Sequence, residues 1–220
     1  MILLVAIVAG LIFGLSRSKL RGDRYQPPAL VHTWLLFIAI LPQIVAFYFT
    51  PAASAISDRL AALCLVSSQI GLLVFVGLNL GRPGIWLLGI GLVLNLLVIV
   101  ANGGLMPISP EVAAQLLPNR LPEALETGVR FGWSKDIVMA RSSTQFWWLS
   151  DRFLLPPSFS YHGVLLGAAR LAPRYAYSFG DVLIALGAFW LLWSGGRSPA
   201  RTVEFSQKAG LHITHQGDAL

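Results

Sequence analysis

Apolar residues in this chain do not alternate with polar ones; they run in blocks. Met1–Leu15, Leu30–Phe49, Leu60–Leu80, Ile85–Ala101 and Phe179–Trp193 contain no Asp, Glu, Lys or Arg except Asp181. A hydrocarbon core about 30 Å thick is crossed by roughly 20 apolar residues of helix, with about 17 to 25 tolerated. The second and third blocks meet that length, the fourth is near its lower limit, and the first and fifth rely on interfacial residues to extend them. The pattern predicts an all-α, polytopic membrane bundle of about five transmembrane helices, with short interfacial helices in one long outer loop. The spans fall near 1–16, 30–50, 60–80, 85–102 and 179–194, and the loop covers 103–178. Residues 1–194 then form one membrane domain. The tail over 195–220 is polar, lacks apolar periodicity and is expected to be disordered.

Charge orients the spans. Arg17, Lys19, Arg21 and Arg24 follow the first block instead of preceding it, so it reads as a retained anchor and not as a cleaved signal peptide. Basic residues beside spans favour the cytoplasmic side. That rule puts the amino terminus outside, and the Arg82 turn and the tail with Arg197, Arg201 and Lys208 inside. The outer loop also holds seven basic residues, but loops beyond about 60 residues weigh little in the rule. The expected location is the bacterial cytoplasmic membrane, multi-pass, with membrane lipid and another membrane protein as partners.

Composition agrees and excludes other classes. Of 220 residues, 55% are hydrophobic and only 12% charged, against about 25% charged in soluble domains. Cys64 is alone, so neither a disulfide framework nor a cysteine metal site is available. The net charge of +6 is scattered among loops, which argues for topology and against nucleic acid. His212 and His215 lack further ligands, and no cofactor or metal is expected. Gly10 with Gly14, and Gly77 with Gly81, form G-x-x-x-G pairs that let helices approach closely.

Polar residues within the blocks are few. Gln43, Gln69 and Asn95 fall near mid-depth of spans two, three and four, where an amide facing lipid loses its hydrogen bonds. They are expected to face inward, as interhelical ties or as the substrate-binding lining of an uncoupled transporter. No span carries an ionisable group at mid-depth, which argues against ion-coupled transport.

The outer loop holds the motifs. Asn102-Gly103-Gly104-Leu105-Met106-Pro107 stops the fourth span, and Ser109-Pro110-Glu111 reads as an N-cap, a first-turn proline and a dipole-favoured acid, opening a helix to about Leu117. Thr144 to Leu155, with Trp147-Trp148, fits a helix lying at headgroup level, and Val164 to Ala172 a further short apolar helix. Ser178 with Asp181 has capping-box spacing at the start of the last span.

These elements, together with the opening Met1-Ile2-Leu3-Leu4 anchor and its basic follow-on, resemble a family of bacterial integral membrane proteins catalogued as a domain of unknown function. The resemblance covers nearly the whole chain to about Ser194 and rests on the Asn-Gly-Gly-x-Met-Pro and Ser-x-Gly-Asp elements. Leu149-Ser150-Asp151 stands where relatives read Leu-Gly-Asp. The resemblance implies a membrane location and no activity. Asp151-Arg152, followed by an aspartate opening the last span, is also similar to the motif order of lipoprotein signal peptidases, which have four spans.

Two further functional classes compete with the transporter. The leading expectation is a binding or assembly protein at the outer face, without chemistry. The alternative is a membrane aspartyl hydrolase with Asp151, Asp181 and Asn102 as catalytic residues, in which two nearby carboxylates share a proton.

Overall fold

The computed structural model describes residues 2–49, 56–117, 123, 125–132, 134–154 and 175–195. The expected helix over Val164 to Ala172 and the tail lie outside these residues, as do His212 and His215. The described part is mostly helical, with six α-helices: α1 (Ile2–Leu20), α2 (Trp34–Phe47), α3 (Asp58–Leu78), α4 (Ile85–Ala101), α5 (Pro110–Leu116) and α6 (Phe179–Trp193). Two of them, α1 and α3, are long and apolar enough to cross a membrane; α2, α4 and α6 are shorter apolar helices.

The main packing order is α2–α3–α4–α6–α1, a row instead of a closed ring. Small residues set its spacing. A side chain at Gly10 or Gly14 of α1 would meet the backbone of α6, at Phe189 O (2.8 Å) and Leu192 O (2.7 Å) respectively. On the other flank of α6, Gly180 and Gly187 face the backbone of α4. The Gly10 pair is therefore spent within the chain, whereas Gly77 and Gly81 meet nothing within 4 Å.

Turn chemistry fixes the two ends. At one, Asn79 is buried just past α3 and brackets the entry to α2: its Oδ1 accepts from Val31 N (2.8 Å), and its Nδ2 donates to Val31 O (3.1 Å) and Phe75 O (2.9 Å). Tyr25 donates its hydroxyl to Leu192 O at the end of α6 (2.8 Å). The basic residues after α1 and the Arg82 turn thus share one end of the row. Replacing Asn79 with alanine strands a pair of backbone groups, which costs about 1–3 kcal/mol. A melting temperature unchanged in Asn79→Ala would refute this latch.

At the other end the loop folds back as a cap. Gly103 and Gly104 both have positive φ (88° and 94°), a conformation that side chains disfavour, and they turn the chain from α4 across the helix ends. After Leu105 the chain forms β1 (Met106–Ile108), fully buried, which pairs in parallel with β2 (Asp136–Val138). A second two-stranded ladder joins β3 (Phe153–Leu154) to β4 (Ala176–Tyr177). Leu105, Met106 and Leu149 pack with Ala61, Ala62 and Leu65 of α3 and Val98 and Ile99 of α4, so the cap shares a core with the helices.

The cap differs from the all-α expectation in its two short β-ladders and in one missing helix. Ser109 does cap α5, accepting from Val112 N, with Pro110 in the first turn. The headgroup-level helix from Thr144 does not form: Thr144 donates its hydroxyl to Ala140 O, and only Trp147–Leu149 make a 3₁₀ turn. Phe146 at φ 53° breaks the segment ahead of it, and Asp151 leaves to pair with β1. Strands of two or three residues offer too little alternation to be read from sequence.

Candidate functional site

Strand β1 assembles the site. Pro107 has no N–H to give, but its carbonyl accepts from Asp151 N (3.2 Å), while Met106 N donates to Lys135 O (2.9 Å) on the β2 side. Lys135 and Asp151, sixteen residues apart, are thereby gathered on one short buried strand. Their side chains meet: Lys135 Nζ lies 2.5 Å from Asp151 Oδ2 and 3.1 Å from Asp136 Oδ1.

Asp151 is only 1% exposed, and its second oxygen, Oδ1, is buried without a hydrogen-bond partner among the described residues. Burial pushes its carboxyl up to about 7; the Lys135 ammonium pulls the other way, while the charges of Asp136 and Asp181 add to the rise. Burial works against the Lys135 ammonium, but Asp136, Asp151 and Asp181 outweigh it and hold that group well above its ordinary range. Lys135 therefore stays charged, and the carboxyl is the member of the pair that titrates near neutrality.

Two clefts meet at Asp151. One, of about 470 Å³, is lined by Ser109, Glu111, Arg141, Trp147, Ser150 and Arg152 among others. The second, of about 360 Å³, runs toward the end of α2 past Lys135, Asp136, Tyr175, Phe47 and Gln43.

The other residues singled out from sequence are engaged as follows. Asp181 closes a capping box with Ser178: Ser178 N donates to Asp181 Oδ2 (3.1 Å) and Asp181 N to Ser178 Oγ (3.0 Å). Asn95 completes that network, donating through Nδ2 to Asp181 Oδ1 (2.8 Å) and accepting from Ser178 Oγ (2.8 Å). Both oxygens of Asp181 are thus used, although its charge is felt at Lys135 and Asp151. Asn102 is a clamp between α4 and the loop, donating to Val98 O (2.8 Å) and Gln145 O (2.9 Å) and accepting from Gln145 N (2.9 Å).

The three amides do not join. Gln43 donates to Ser68 Oγ across the α2–α3 contact (2.7 Å), and Ser68 in turn donates to Ala39 O. Gln69 is buried on α3 with its Oε1 unpartnered among the described residues, and Asn95 belongs to the α4–α6 contact.

Sequence reasoning passed over Lys135 and Asp136. Their one local signal is the β-branched pair Ile137-Val138, which favours a strand just after them. Nothing along the chain marks Lys135 as the partner of Asp151.

No curated protein and no solved structure matches the chain. Residues 29–193 match a family model described as Family of unknown function (DUF5317). That stretch takes in α2 through α6 together with the cap and both ladders. The chain, on this match over three quarters of its length, belongs to the DUF5317 family.

Proposed function

We propose that the chain is a five-span protein of the bacterial cytoplasmic membrane, amino terminus outside and carboxyl terminus inside, that binds a partner at the outer face through the loop over 103–178. Large apolar side chains stand exposed along all five apolar helices, Phe37 at 77% and Leu63 at 66% among them, as lipid contact requires. Helix α2 has 14 residues, about 21 Å of rise. Apolar Leu30, Val31, Tyr48 and Phe49 flank it and extend its hydrophobic length. Basic Arg17, Lys19, Arg21, Arg24 and Arg82 lie at the end of the row away from the cap, which supports a cytoplasmic side there.

The observation that carries binding is the meeting of two clefts at Asp151, a buried carboxyl with an unspent oxygen. Ligand sites are commonly concave, with a few convergent polar groups. The test of orientation places single cysteines at Ser142 and Lys19 in a Cys64→Ala background. In spheroplasts an impermeant maleimide labels Ser142→Cys, and labels Lys19→Cys only after lysis. The reverse pattern sinks the proposed orientation, and recovery of the chain in solution without detergent sinks the membrane reading.

A second reading, the aspartyl hydrolase, is favoured by one feature: a carboxyl held near 7 can give and take a proton at working pH. Because Asp181 and Asn102 are bonded elsewhere, this reading rests on Asp151 with Lys135. Loss of turnover of a cleavable substrate in Asp151→Asn, but not in Asp181→Asn, is its expected signature.

A further inference from the structure

We infer that the cleft of about 470 Å³ lined by Arg141, Trp147 and Arg152 is a phospholipid headgroup site, taking a phosphodiester that carries a hydrogen-bond donor beside it. This rests on the membrane reading above. Three observations support it. First, two guanidinium groups share one indole: Arg141 Cζ lies 3.3 Å and Arg152 Cζ 5.1 Å from the centroid of Trp147. Arg152 also lies over Phe153 (5.0 Å), and neither arginine has a carboxylate within salt-bridge distance among the described residues, so both forks are open to a further anion even though Glu111 feels the charge of Arg141. Planar guanidinium forks match phosphate oxygens.

Second, the turn that carries Trp147 sits at the ends of α3 and α4, where the apolar helices meet the cap. Leu149 is buried in the core at the ends of α3 and α4, while Phe146 (40% exposed) and Trp148 (52%) stand outward in edge-to-face contact, their centroids 6.5 Å apart. Phe146 adopts φ 53°, a conformation unusual for a bulky residue. Exposed aromatic rings favour the membrane interface. An acyl-linked phosphate beside them would have its chains directed along the apolar rings.

Third, the lining is not purely basic. Glu111 borders it, its carboxyl lowered by the Ser109 hydroxyl and its own backbone N–H, and by the charge of Arg141. Asp151 adds the buried unpartnered oxygen. These acceptors favour a headgroup with donors next to its phosphate. Phosphatidylglycerol offers hydroxyls and phosphatidylethanolamine a primary ammonium; the trimethylammonium of phosphatidylcholine offers none.

The test titrates the full chain, purified in alkyl maltoside, with short-chain dihexanoyl lipids and follows bound lipid by native mass spectrometry. Phosphatidylglycerol or phosphatidylethanolamine is expected to bind at least tenfold more tightly than phosphatidylcholine, and Arg141→Gln/Arg152→Gln to lose at least tenfold. Arg141→Lys/Arg152→Lys, which keeps the charge but not the planar fork, is expected to recover part of the loss. Equal binding of phosphatidylcholine overturns the donor requirement and the proposal with it. Displacement of bound lipid by equimolar inorganic phosphate overturns the lipid assignment in favour of a free anion, in a measurement that needs no variant. A chain that stays in solution without detergent marks failure of the membrane reading instead; a chain that needs detergent yet shows no headgroup preference marks failure of this site alone.

Discussion

Gly180→Ala is expected to destabilise the purified protein by about 3–5 kcal/mol, while Gly77→Ala leaves it unchanged or slightly more stable. A Cβ at Gly180 would collide with the Asn95 amide and approach Gly91 O to 2.7 Å, an atom of the α4 backbone that cannot swing away. Overpacking alone costs about 1–3 kcal/mol. Displacing Asn95 also removes its bond to the Asp181 carboxylate, and hydrogen bonds to charged groups are worth about 1.5–3 kcal/mol. At about 2–4 °C per kcal/mol for a chain of this size, the melting temperature falls by roughly 6–20 °C. Gly77 has open space around it, so alanine there gains only helix propensity, about 0.5–1 kcal/mol. Equal shifts in the two variants would contradict the assignment of α4–α6 as the close seam.

The second large effect concerns Lys135. Lys135→Met removes the hydrogen-bond donor that Asp151 has in the fold, leaving an ionised carboxylate buried alone. Breaking such a pair costs about 3–5 kcal/mol; the partial exposure of Lys135 puts the expected loss near the lower figure. The loss depends on pH. In the intact protein burial already raises the Asp151 carboxyl to about 7, above the unfolded value near 4, so the folded state holds the proton more tightly. That contribution to stability is fully present below about pH 4 and is lost as pH rises toward 7. Without Lys135 the carboxyl rises further and the decline continues to higher pH. Thermal melts of Lys135→Met at pH 5 and pH 8 should therefore diverge more than those of the parent, and Asp151→Asn added to Lys135→Met should restore most of the loss at pH 8. A pH-independent Lys135→Met, or a double variant as weak as the single, would remove the buried pair from the account.

The apolar helices were legible because each announces itself within its own residues. Block length and charge exclusion gave α1, α3 and α4 nearly to their ends, and Ser109-Pro110 and Ser178 with Asp181 announced the starts of α5 and α6 through capping chemistry confined to four residues. The close seam was half legible: Gly10 and Gly14 lie against α6, but Gly77 and Gly81, with the same spacing, touch nothing. A glycine pair states that approach is permitted, and only the partner's position decides whether it happens. The site itself was least legible. Asp151 stood out, yet Lys135 reaches it through β1, and pairing among strands of two or three residues leaves no periodic trace. Asn102 and Asp181 stood out at the edges of apolar blocks, and the fold uses both to hold segments together.

Conduction of a solute needs a line enclosed by walls on every side. In the order α2–α3–α4–α6–α1 each inner helix makes its main contacts with two neighbours, and Val76, Ile85, Leu92 and Leu191 fill the seam among α3, α4 and α6 with apolar side chains. A layer one helix thick resembles a fence more than a pipe. Gln43, Gln69 and Asn95 are spread along that row on three different helices, α2, α3 and α4, with Gln43 tied to Ser68 and Asn95 to Asp181.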